Sequence, residues 1–205
     1  MSVAHRLDPI QLRVLGCLIE KQRTTPEQYP LTLNALRLAC NQATNRDPVL
    51  ELDESQVRAA AQSLGVLGWA RLATGPGSRT AKYRQLLGEA LDLLPSEVSV
   101  LAVLMLRGPQ TVAELKTRTE RLHHFTTAED VAATLARLDG KELVHLLPRR
   151  AGQREERWTH LLGETPSEQP PVPEGEPTTI EQRLAQIESR LLELERSLAE
   201  RGLLD

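Results

Sequence analysis

Four residues in the stretch ESQVRAAAQSLG, namely Ser55, Arg58, Ala59 and Gln62, recur at the three- and four-residue spacing of one helix face. Arg and Gln make paired hydrogen bonds to base edges in a major groove, and small neighbours allow a helix to come close. Downstream, Arg71, Arg79, Lys82 and Arg84 flank the turn Gly75-Pro76-Gly77. Cations on such a hairpin would neutralise phosphates. The chemistry these residues suggest is binding of double-stranded DNA. An ordinary polar helix face beside a charged hairpin would use the same residue types.

Other chemistries lack their residues. The histidines at 5, 123, 124, 145 and 160 form no HExxH pattern and share no ligand spacing with cysteines or carboxylates. Cys17 and Cys40 sit inside apolar helical patterns without a CxxC pair, which reads as two small buried thiols. The Gly75-Pro76-Gly77 turn lacks the Lys-Ser/Thr of a phosphate loop, and no GxSxG motif is present. The expectation is a protein that is not an enzyme and has no cofactor or metal. His123 and His124 are expected to face solvent at a helix end.

The elements that position these residues follow from composition. The chain has 205 residues, of which 40% are hydrophobic, 26% charged and only 2% aromatic. A core of Leu, Val and Ala with few aromatics favours helices over sheets. No stretch approaches the ~20 apolar residues of a membrane span, and the first residues lack a basic start followed by an apolar core. A cytoplasmic protein without membrane contact is expected. The formal net charge is −3, but residues 1–87 carry an excess of Lys and Arg while residues 164–205 are strongly acidic. The basic first segment suits a nucleic-acid contact.

The chain also repeats itself. DPIQLRVLGCLIEKQRTT (8–25) matches LPSEVSVLAVLMLRGPQT (94–111), pairing Pro9 with Pro95, Leu15 with Leu101 and Leu18 with Leu104. Each reads as a helix with Pro in its first turn. ESQVRAAAQSLGVLGWARLA (54–73) matches AEDVAATLARLDGKELVHLL (128–147), with Val57, Ala61 and Leu64 against Val131, Leu135 and Leu138. That spacing marks one buried helix stripe, followed by a strand. A Gly-containing turn and a second strand holding Tyr83 or Trp158 close each copy. Three helices and a hairpin, twice, predict two tandem winged-helix domains, 1–87 and 88–163. The fold class is mainly α with small β-hairpins.

The first copy is longer between its first and third helices, around YPLTLNALRLACNQATNRDPV. In this added length Asn41 or Asn45 is suited to a left-handed helix cap, and Asp47 before Pro48 to an extended backbone. Thr25-Pro26-Glu27-Gln28 reads as a helix entry with Thr25 as its cap and Gln28 reaching back, and Pro30 then prevents a long helix. The segments LGCLIEKQRTTPEQYPLTLNAL (15–36) and ACNQATNRDPV (39–49) resemble the YceH family of uncharacterised bacterial proteins. The resemblance implies a tandem winged-helix protein without an assigned activity. It also singles out Asn41, Gln42, Thr44, Asn45 and Arg46 as matching residues. The match departs at Ala43, where relatives usually carry Lys. A surface built by these residues near the third helix, or a turn network holding the longer loop, would each account for them.

Residues 164–178 hold five prolines among acids and read as a linker, followed by a helix over 179–205. There Ile180, Leu184, Ile187, Leu191, Leu194 and Leu198 recur at heptad spacing, the seam of a C-terminal coiled-coil helix. Arg183 and Arg190 at g face Glu188 and Glu195 at e in a parallel pair, so self-association as a parallel homodimer is expected. The functional expectation is a DNA-binding, regulatory-type protein with the first domain as main reader. In the second domain Glu129 and Asp130 stand where phosphates would approach. A non-catalytic protein-interaction scaffold that uses winged-helix domains without DNA is the alternative.

Overall fold

The computed structural model describes residues 6–73, 81–149 and 152–163. The proposed linker, the heptad residues from Ile180 to Leu198, Arg79 and the Gly75-Pro76-Gly77 turn lie outside these residues. Among the described residues the chain is mainly helical with small antiparallel sheets.

The first half runs through helices α1 (Pro9–Thr24), α2 (Leu33–Cys40) and α3 (Glu54–Val66). A short strand β1 (Leu31–Thr32) precedes α2, and the hairpin β2 (Ala70–Ala73) and β3 (Lys82–Gln85) follows α3. One turn of helix, α4 (Leu87–Ala90), leads to the second half: α5 (Pro95–Arg107), α6 (Val112–Thr119), α7 (Ala128–Gly140) and the hairpin β4 (Val144–Leu147) and β5 (Arg157–His160). The first sheet has the order β1-β3-β2, because β1 adds to the free edge of β3 with Leu31 opposite Tyr83. The second sheet has only β4 and β5.

Helix starts follow their local chemistry. The Asp8 carboxylate accepts the Gln11 backbone N–H at 2.8 Å, and the Gln11 side chain accepts the Asp8 N–H at 3.0 Å, ahead of Pro9 in the first turn of α1. Asp53 and Gln56 build the same reciprocal cap on α3, Thr111 and Glu114 on α6, and Thr127 and Asp130 on α7. The segment after α1 departs from expectation. Thr25 holds the expected cap position ahead of Pro26, but its side chain makes no cap bond; its hydroxyl donates to Lys21 O at 3.3 Å, at the end of α1. Pro26–Gln28 form a single 3₁₀ turn, since Pro30 leaves no room for a longer helix.

Two helices form the centre. Nine consecutive residues of α1, Leu12 to Glu20, and ten of α5, Glu97 to Leu106, are buried. A helix covered on every side is an interior helix. These two pack on each other, α2 and α3 pack on α1, and α6 and α7 pack on α5, so the halves share one hydrophobic cluster running from Leu7 to Leu162. Gly16 permits the close approach: a Cβ there would lie 2.9 Å from both Cγ and Cδ2 of Leu106. All described residues belong to one unit, Met1–Pro166. It is closed by Leu7, whose N–H donates to Leu162 O at 2.8 Å and which bridges Gly163. A side chain at Gly163 would meet Leu7 O at 2.8 Å.

Candidate nucleic-acid interface and the loop behind it

Helix α3 presents its polar face outward. Val57, Ala60, Ala61 and Leu64 are buried, while Ser55, Arg58, Ala59 and Gln62 are exposed. Inward packing of α3 on α1 fixes which way the helix is turned, so the exposed set is a consequence of the apolar stripe. The Ser55 hydroxyl donates to Asp53 Oδ1 at 2.6 Å and is engaged at the helix cap.

The hairpin beside α3 brings Arg71 and Arg84 directly opposite each other across β2 and β3, with both side chains on one face. Their repulsion is relieved on one side only: Arg84 pairs with Glu89 at 2.6 Å, while Arg71 is exposed. Lys82 is half-buried opposite Ala73. Acidic groups stand close by. Glu51, Asp53 and Glu54 are exposed at the start of α3, as Glu129 and Asp130 are at the start of α7. Hydrogen bonds from Ser55 and the Gln56 backbone hold the Asp53 carboxyl below its ordinary range, so it stays charged.

The residues 41–46 divide into a buried part and an exposed part. Arg46 does not lie on the surface: its side chain is fully enclosed, and its guanidinium donates to both carboxylate oxygens of Glu20, at 3.1 and 2.7 Å. It also donates to Ala39 O, Asn45 O and Gln42 Oε1. Burial alone would push Glu20 up, but the Arg46 hydrogen bond and charge, with help from Lys21, hold it below the usual carboxylate range. Asn41 makes a two-way bond with the Leu52 backbone, at 2.8 and 2.9 Å, closing the loop at its base. Asn41 is the cap residue of α2 but has φ −94; Asn45 is the left-handed residue, at φ 62, and lies within the loop. The Asp47-Pro48 peptide is cis. Arg13, buried in α1, donates to Cys40 O at 2.9 Å and to Pro48 O. This is a network that fixes the loop to α1, with Thr44 and Asn45 left exposed.

The loop also reaches the second half. The Asp47 N–H donates to Leu106 O at 2.8 Å, and the Arg107 guanidinium donates to Asn45 Oδ1. Between them lies a cleft of about 410 Å³ lined by Lys21, Gln42, Thr44, Asn45, Arg107, Arg118 and Arg121, among others. Sequence reasoning missed its cations. They come from α1, α5, α6 and the turn after α6, and only the packing of α1 on α5 brings them together. Glu20 was readable: a carboxylate on the buried stripe of α1 requires an enclosed partner.

Among the described residues no group of three or more His, Cys, Asp or Glu could hold a metal, and no helix is long and apolar enough to cross a membrane. Cys17 and Cys40 are free and buried, and the Cys17 thiol donates to Ala39 O at 3.4 Å. His124 is exposed and meets Glu120 at 2.6 Å, whereas His123 lies edge-on to Phe125 and is half-buried.

A family model described as a protein of unknown function, DUF480, matches residues 7–153, from Leu7 through β4 and ending before β5. A UPF0502 protein from Pseudomonas fluorescens strain SBW25 is 51% identical over 159 residues, covering 78% of this chain and 72% of that protein. One from Pelobacter propionicus is 54% identical over 159 residues, covering 77% and 72%. One from Pseudomonas aeruginosa strain UCBPP-PA14 is 52% identical over 157 residues, covering 77% and 70%.

Proposed function

The chain belongs to the DUF480 family of proteins of unknown function, and on that premise we propose that it is a non-catalytic protein that binds double-stranded DNA through the first of two winged-helix units. The observation that carries the reading is the outer face of α3. It is exposed, it carries Arg58 and Gln62 one helical turn apart, and Ala59 between them is small enough for groove approach. The order of three helices and a hairpin supports the winged-helix assignment, and Arg71 beside α3 supplies a cation for backbone phosphates.

A protein-interaction scaffold is the second reading. It is favoured by the carboxylates at the starts of both α3 and α7, which would repel phosphates, and by apolar side chains exposed on the first half, with Val66 90% and Leu72 54% exposed.

Fluorescence anisotropy of the full chain with a labelled duplex at several salt concentrations separates the two. DNA binding through phosphate contacts weakens steeply as salt rises. On a selected specific site Arg58→Ala is expected to cost about 1–3 kcal/mol and to relax preference at one base position. Lys82→Ala is expected to weaken all sequences alike. Absence of binding at low salt would eliminate DNA and leave the scaffold.

A further inference from the structure

The cleft between the 41–46 loop and α5–α6 collects hydrogen-bond donors. Lys21, Arg107, Arg118 and Arg121 line it, against one lining carboxylate, Glu20. That carboxylate is already engaged: Arg46 takes both of its oxygens, and Lys21 approaches Oε2 at 3.1 Å. The Gln42 carboxamide oxygen accepts from Lys21 at 3.2 Å and from Arg46 at 3.0 Å, so its amide N–H groups are the part available to a ligand. Arg118 leans on Glu114 at 3.6 Å, but Glu114 has a closer partner in Arg157 at 2.7 Å. Arg107 has no carboxylate partner among the described residues. Burial, then Arg118 and Arg46 nearby, push its pKa below the ordinary value.

Cations gathered with too few carboxylates repel one another, and a bound anion removes that repulsion. The donors converge from α1, from the end of α5 and from the end of α6, which suits an anion with several acceptor oxygens. Val103, Leu106 and Leu122 supply an apolar wall for an attached organic group, and the volume suits a small molecule. We propose that this cleft is a binding site for a small organic phosphate. Asn45, held by Arg107, and Gln42, held by Lys21 and Arg46, are the loop residues that shape it. The site is separate from the outer face of α3 and does not rest on the DNA reading.

Thermal melts and calorimetric titration of the full chain with sodium pyrophosphate test it, at constant ionic strength set with NaCl and with citrate as the carboxylate comparison. Saturable stabilisation by pyrophosphate, stronger than by citrate, is expected. Arg107→Gln and Arg121→Gln should each weaken it by about tenfold, and Arg58→Ala should leave it unchanged. Arg121 is exposed and has no bond to lose among the described residues, so its variant keeps the test valid if Arg107→Gln misfolds. Four results would overturn the proposal: no saturable effect up to millimolar pyrophosphate, an equal or greater effect of citrate, undiminished binding in Arg121→Gln, or loss of binding in Arg58→Ala alone.

Discussion

Arg46 and Glu20, 26 residues apart in the chain, form a two-bonded ion pair between a loop and the central helix α1, at 3.1 and 2.7 Å. The Arg46 side chain is fully enclosed and that of Glu20 is 11% exposed. Removing Arg46 strips the nearly enclosed Glu20 carboxylate of both guanidinium bonds and leaves it Lys21 alone, 3.1 Å from Oε2. Arg46→Ala should therefore destabilise the protein by about 3–5 kcal/mol. The double variant Glu20→Gln, Arg46→Met should recover part of that loss. Urea unfolding of Arg46→Ala, of Glu20→Gln and Arg46→Met singly, and of the double variant reads both effects.

Gly16 meets Leu106 where α1 crosses α5. Gly16→Ala gains helix propensity but brings a methyl to 2.9 Å from Leu106 Cγ and Cδ2. Overpacking of this kind costs roughly 1–3 kcal/mol. Leu106→Ala opens the space, so the two substitutions should be less destabilising together than the sum of their separate effects. A double-mutant cycle on unfolding free energies measures the coupling.

His160 is buried on β5, and its Nδ1 meets no hydrogen-bond partner among the described residues. Burial lowers its pKa to about 4. An unfolded histidine titrates near ~6.5. Between these values the unfolded chain takes up a proton that the folded chain refuses, so stability falls as pH drops through that window, by roughly 3 kcal/mol. Glu20, held below its ordinary range, adds a further loss as pH falls below the usual carboxylate range. His160→Leu should flatten stability between pH 6.5 and 4 while leaving the lower fall in place. Denaturant midpoints across the range check this.

The Tyr29 hydroxyl accepts the Gln85 backbone N–H at 2.6 Å, tying the turn after α1 to the end of β3. Burial raises the Tyr29 pKa to about 12, so the phenol stays neutral at working pH. Tyr29→Phe leaves that N–H without its partner and should cost about 1–3 kcal/mol. Hydrogen exchange at Gln85 should quicken if the bond is removed.

The features legible in the sequence were those set by near neighbours. Pro9 and Pro95 announced two helix starts, and the spacing of Val57, Ala61 and Leu64 gave the inner face of α3 and with it the outer one. Tyr83 and Trp158 lie on the closing strand of each hairpin, where the alternation placed them. Thr25 stands where the pattern puts it, ahead of a turn that begins at Pro26 and that Pro30 keeps short, but so short a turn leaves its side chain without a cap bond. The pattern of β3 did not disclose that β1 would pair with it, because two residues are too few for a period. The fate of Arg46 depended on Glu20 and Ala39 being folded around it. Its residue type gave no sign of which side of the loop it would take.

The bridge between Leu7 and Gly163 sets the beginning and the end of the described residues side by side. With those two points adjacent, a short connection could join them, and the halves could then be synthesised in the opposite order. A short Gly-Ser connection from Gly163 back to Leu7, with a new opening at the exposed Asp92 between α4 and α5, would give a circular permutant in which α5 comes first and α1 follows β5.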